Sequence, residues 1–221
     1  MKKKPVQLGS YAGLDLSLAG TAGVMLDDAG EVLSVLAFST SKRESAQLSL
    51  GRNHVLVAPE VKQGDPKAMW ARTVFVANEI ADWLAMWGDA GCLVGIEDHA
   101  FGARGSSIYQ LGHLHGLVRY GLQRRGCRWL LIAPTELKAA VTGKGNADKN
   151  MMMSIKTPGL DQTKFGASTR NNVVDAYWLA QTMLAWSDAH CDDWEAMSET
   201  MAKVMRPHSK RPGLMARELL P

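Results

Sequence analysis

The sequence contains no stretch approaching the roughly 18 consecutive apolar residues of a membrane-spanning helix. Its start, Met1-Lys2-Lys3-Lys4-Pro5, is basic, but no apolar segment of signal-peptide type follows, so the expected location is the cytoplasm, away from any membrane. Cysteine is scarce. Cys92, Cys127 and Cys191 are odd in number, far apart and form no Cys-x-x-Cys pair. That argues against a disulfide framework or a structural zinc site and fits reduced thiols. His113 and His115 stand two apart on an expected helix and so face different ways, which makes a poor metal pair. No internal repeat is present. Net charge is also small, +3 over 221 residues, yet the positive residues are grouped at Lys2–Lys4, Arg119–Arg128, Lys138–Lys149 and Lys203–Arg217. Grouped basic patches point to a polyanionic partner.

What the chain does contain is the composition of a soluble globular protein, 46% hydrophobic and 21% charged, with length for one sizeable α/β domain and a tail. Residues 11–17, 23–27 and 31–38 read as three successive strands. Asp27-Asp28-Ala29-Gly30 supplies a hairpin turn between the second and third. A long polar connection follows, with room for a short strand at Val55-Leu56-Val57. Helical spacing of apolar residues covers 67–87. Cys92-Leu93-Val94-Gly95-Ile96-Glu97 is a near-continuous apolar run suited to a strand buried on both faces. After a Gly-rich loop come a helix at about 108–124 and a strand at 128–132. A brief helix follows, capped by Thr135 and running through Val141. A basic loop (143–149) leads into a Met-rich helix ended by Pro158, and a last helix spans about 172–186. This order describes a mixed sheet with helices packed on it. The expected organisation is a basic extension (1–10), a globular domain (11–186) and a C-terminal tail or helical extension (187–221).

Three acids interrupt otherwise apolar segments: Asp15 in the first strand, Glu97 at the end of the Cys92 strand, and Asp175 in the last helix. An ionised carboxylate inside a buried segment is costly unless something positive faces it. Any one of the three, taken alone, is better read as a cap, a turn or a solvated residue. Neighbouring strands lie about 4.8 Å apart, so carboxylates on them can share one ion or bridge two. Oxygen donors without a His or Cys cluster suit Mg²⁺ or Mn²⁺. Two such ions about 3.5–4 Å apart can activate water and stabilise a leaving oxygen in phosphodiester hydrolysis.

The segments Gly13-Leu14-Asp15, Gly95-Ile96-Glu97, Gly143-Lys144-Gly145-Asn146-Ala147-Asp148-Lys149 and Val174-Asp175-Ala176 together resemble the RuvC family of Holliday junction resolvases. Phe101-Gly102-Ala103-Arg104-Gly105 followed by Gln110-Leu111-Gly112 is similar to the phage-type members. The resemblance runs from about residue 11 to 186. It implies an RNase H-like fold, a mixed five-stranded sheet with helices on both faces. It also implies a homodimer that binds four-way or other branched DNA and nicks it by Mg²⁺-dependent hydrolysis, with two ions per site. Asp15, Glu97 and Asp175 would be catalytic metal ligands, and Lys149 would sit near the scissile phosphate. Lys138, Lys144 and Arg104 would contact DNA, and Phe101 would stack on unpaired junction bases. The family carries a fourth ligand three residues before the helix acid, and here that position is Asn172, a neutral donor. Asp98 or Asp161 could replace the missing charge. Two other outcomes stay open: a chain that binds junctions with weak or no cleavage, and a ribonuclease H-type activity.

Overall fold

Strand β1 (Tyr11–Asp15) is buried along its whole length, which its unbroken small and apolar sequence dictates. It lies at the centre of a sheet in the computed structural model, which describes residues 9–18, 20–39, 53–61, 65–88, 92–98 and 106–190. β2 (Ala22–Leu26) and β3 (Val32–Ser39) follow as an antiparallel meander. The turn joining them is the one read from Asp27-Asp28-Ala29-Gly30. The Asp27 carboxylate accepts the Ala29 and Glu31 amides, and Gly30 takes φ +79°, a conformation that glycine adopts without strain.

The sheet has six strands where five were expected. The order is β4-β3-β2-β1-β5-β6. The added member is β4 (Asn53–Val57), which pairs in parallel with β3 as an edge strand. Its apolar run is only three residues long and sits in polar surroundings, because an edge strand packs on one side alone. β5 (Leu93–Glu97) runs parallel to β1, and β6 (Arg128–Ile132) runs parallel to β5.

Helices cover both faces. α1 (Pro66–Trp87) and α2 (Ser106–Arg124) pack on the face bearing Ala12, Leu14, Leu36, Val94 and Ile96. Asp65 caps α1 by accepting the Lys67 and Ala68 amides, with Pro66 at the first position. α3 (Pro134–Thr142), α4 (Lys149–Ser154) and α5 (Ala167–His190) lie on the opposite face. α3 starts earlier than expected. Pro134 occupies its first turn and Glu136 reaches back to the Ala133 amide at 3.0 Å, so Thr135 is inside the helix and is not its cap. α4 stops at Ser154, short of Pro158, and is capped by Asp148. α5 begins five residues before the expected start. Its polar first turn hides it, and it is buried on nearly every side beyond that, so it lacks the one-sided stripe by which a surface helix is read. No helix among the described residues is long and apolar enough to cross a membrane.

The decisive contact is α5 against β1 and β5. Gly13 and Gly95 are register partners. A Cβ on Gly13 would strike the Ala176 carbonyl and the Ala180 nitrogen. One on Gly95 would lie 3.0 Å from Met183 and 3.1 Å from the Leu179 carbonyl. The helix backbone therefore rests directly on the sheet, as only two glycines allow. Gly13→Ala is expected to lower stability by about 1–3 kcal/mol or more, since backbone must shift to admit the methyl. Gly121→Ala in α2, whose Cβ meets nothing within 4 Å, is expected to raise stability by about 0.5–1 kcal/mol. Urea unfolding of both variants beside the parent checks the pair.

Candidate active site

β1 and β5 are parallel and in register up to Leu14 opposite Ile96. The next residues, Asp15 and Glu97, therefore leave the same end of the sheet on the same face, the face that carries Gly13 and Gly95. Because α5 sits tightly on those glycines, its residue Asp175, one before Ala176, is brought over the ends of both strands. Asp15, Glu97 and Asp175 line a single cavity of about 300 Å³ with Asn172, Lys138 and Lys149. Pro134, Leu137 and Met152 complete its walls. Asp15 is 7% exposed, and its two acidic neighbours are half-buried.

The electrostatics follow from that crowding. Burial holds the Asp15 carboxyl well above its ordinary range, and the negative charges of Glu97 and Asp175 push it further, against the pull of Lys149. Burial, then Asp175, raises Glu97 to about 7, opposed by the hydrogen bond from Asp15 and by Lys149 and Lys138. Burial raises Asp175 to about 6, opposed by the same two lysines. A side-chain hydrogen bond joins Asp15 and Glu97. The two ammonium groups offset only part of the repulsion among three acids.

A divalent cation suits this donor set, which is hard oxygen throughout and anionic, with no thiolate or imidazole. The residues fit in chemistry, and the three carboxylates line one cavity. Among the described residues, no group of three His, Cys, Asp or Glu side chains is arranged to hold a metal ion.

The remaining sequence candidates fall in different places. Asn172 lines the cavity, and its side-chain nitrogen donates to the Gly20 carbonyl across the β1–β2 turn. Lys144 is exposed just beyond α3, its amide donating to the Thr142 hydroxyl, and does not line the cavity. Phe101 and Arg104 lie outside the described residues. Asp161 is solvent-facing, bonded to Thr163 and 3.8 Å from Lys164, and neither it nor Asp98 reaches the cavity. Sequence reasoning missed Leu137 and Met152. Met152 lies in a methionine run that reads as helix packing, and it does pack, with its outer side forming part of the cavity wall.

Raised carboxyl pKa values mean that the folded protein binds protons more tightly than the unfolded chain, so stability falls as pH rises from the ordinary carboxyl range through about 6 to 7. In EDTA the melting temperature is expected to drop between about pH 5 and about pH 8. Glu97→Gln is expected to remove much of that drop and to melt higher at the upper pH by roughly 2–4 °C, the shift that about 1 kcal/mol produces at this size. Thermal melts by circular dichroism test this. Identical pH profiles for the two proteins would contradict it.

No protein-family model matches the sequence, and no curated protein sequence matches it significantly. Solved structures do match. The Thermus thermophilus RuvC structure aligns over 83% of this chain and 96% of its own, with a TM-score of 0.55 and 16% identity. T. thermophilus RuvC in complex with a Holliday junction substrate aligns over 82% and 94%, with a TM-score of 0.54 and 14% identity. The yeast mitochondrial Holliday junction resolvase Ydc2 aligns over 86% and 84%, with a TM-score of 0.50 and 12% identity. A six-stranded mixed sheet flanked by helices, aligned over almost the full length of those chains, gives this protein the RuvC-like form of the RNase H-like fold.

Proposed function

We propose that this chain is a divalent-metal-dependent endonuclease that cuts branched DNA, four-way junctions above all, by phosphodiester hydrolysis. The observation that carries this reading is the meeting of Asp15, Glu97 and Asp175, from three separate elements, in one cavity beside two lysines. The structures with which the chain shares its fold include a RuvC bound to a Holliday junction substrate and a second Holliday junction resolvase.

In this reading Asp15, Glu97 and Asp175 hold Mg²⁺, or Mn²⁺ in its place, as two ions per site. Bound there, the metal supplies an activated water and charge stabilisation for the leaving oxygen. Lys149 is exposed at the cavity mouth. It grips a non-bridging phosphate oxygen and orients the scissile bond. Lys138, half-buried on α3, supports it with a second positive charge. Pro134, Leu137 and Met152 form the apolar side of the cavity, limit the water that reaches the phosphate and strengthen every charge interaction inside. Lys144 and Arg104 bind flanking phosphates. Affinity contributed by such contacts falls steeply with salt. Phe101 stacks on an unpaired base at the branch, a contact worth about 1–3 kcal/mol.

Resolution of a four-way junction needs two symmetric cuts, which a homodimer provides. Tyr109 and Tyr120, 74% and 62% exposed on α2, and Trp70, 51% exposed on α1, are aromatic side chains available to a second copy on the helices of the face away from α5.

End-labelled four-way junction, flap and RNA–DNA hybrid, each incubated with Mg²⁺, test the reading. The wild type is expected to nick the junction in opposed pairs and to leave the hybrid intact. Asp15→Asn is expected to lose cleavage by about 10³-fold or more, the effect of several kcal/mol of lost transition-state stabilisation, while still binding the junction. Binding by the wild type without nicks would leave a junction-binding protein. Preferred cutting of the hybrid would make it a ribonuclease H.

A further inference from the structure

Asn172 lines the acid cavity, three residues before Asp175 on α5, and among the polar side chains of that lining it is the one with no charge. Its side-chain nitrogen donates to the backbone carbonyl of Gly20, at the turn between β1 and β2. The two pack closely, since a Cβ built on Gly20 would lie 2.6 Å from the same nitrogen. The turn is braced from within as well. The Gly20 amide donates to the Ser17 hydroxyl at 2.9 Å, the Ser17 amide to the Thr21 hydroxyl at 3.1 Å, and that hydroxyl to the Ser17 carbonyl at 2.7 Å. The Thr21 carbonyl then accepts the Phe38 amide at 2.9 Å, tying the turn to β3. Ser17 is two residues beyond Asp15, so these bonds fix the point at which β1 ends and its carboxylate leaves the sheet.

A carbonyl acceptor decides which end of the amide faces the turn. Only the NH₂ group can donate, so the nitrogen is committed to Gly20. An aspartate at this position would set a carboxylate oxygen against a carbonyl oxygen, two acceptors with no proton between them. It would also add a fourth anion to a cavity already lined by three carboxylates. The asparagine side chain is the donor of the same size that this place accepts.

We infer that Asn172 is a positioning residue: it clamps the β1–β2 turn to α5 and thereby sets Asp15 opposite Asp175, leaving divalent-cation affinity to the three carboxylates. The consequence for cleavage rests on the nuclease reading above. The structural claim does not, and its test needs neither DNA nor turnover.

Three proteins decide it: wild type, Asn172→Ala and Asn172→Asp. Each is measured for hydrogen–deuterium exchange in the peptide spanning Ser17–Thr21, for Mn²⁺ affinity by calorimetry, and for its melting temperature, to show that it is folded. The expected result is exchange in the turn about five- to tenfold faster in both variants, the loss of one net hydrogen bond. Mn²⁺ affinity is expected to stay within about threefold in the alanine variant and not to tighten in the aspartate variant, although the aspartate adds charge. The inference is overturned if turn exchange is unchanged. It is equally overturned if Asn172→Asp tightens Mn²⁺ by about tenfold or more, as an anionic ligand would. Should the wild type fail to cut junctions while the turn still loosens, the nuclease reading falls and the clamp stands.

Discussion

Three carboxylates confined to one partly buried cavity repel each other, and the rest of this molecule is arranged to hold them there. Left to itself, a chain would separate such groups or neutralise them. Here Asp15 and Glu97 are hydrogen-bonded to each other, while Lys149 draws all three acids part of the way back and Lys138 does the same for Glu97 and Asp175. Holding like charges together out of water in this way costs stability. Perturbed carboxyls gathered in a cleft are the mark of a site whose charge is completed by something else.

The scaffold that enforces this closeness is mostly backbone. Parallel pairing of β1 with β5 aligns two strand ends, and the register partners Gly13 and Gly95 let α5 approach until helix backbone touches sheet. A side chain at either glycine would lift the helix and carry Asp175 away from the strand ends. The two sides of the sheet thus divide the work. The face under α1 and α2 is ordinary core, built from residues such as Leu14, Met25, Ile80 and Ile96. The face under α5 is core as far as the strand ends and becomes a charged cavity beyond them.

The sequence announces the acids more clearly than the framework that joins them. Asp15, Glu97 and Asp175 are visible because each breaks an apolar run, and the meander is visible from the Asp27–Gly30 turn. β4 is legible only as the short run Val55-Leu56-Val57, since its first two residues, Asn53 and His54, are polar. The beginning of α5 is hidden for two reasons: its first turn is polar, and the helix is buried on most sides, which erases the periodic stripe. The partner of Asn172 is beyond any reading of local pattern, because Gly20 lies 152 residues away and the bond depends on tertiary packing. The same holds for Gly13 and Gly95. Each stands two residues before an acid, but only the register shows that both make room for one helix.

The most direct measurement of the central claim is the location of a divalent cation in the folded protein. Crystals grown near neutral pH and soaked in Mn²⁺ would be read by anomalous diffraction. The expected result is density in the cavity within about 2.0–2.5 Å of carboxylate oxygens from Asp15, Glu97 and Asp175, with the Asp15–Glu97 hydrogen bond replaced. Saturating Mn²⁺ that leaves the cavity empty, or binds with any of those three side chains turned away, would contradict the account.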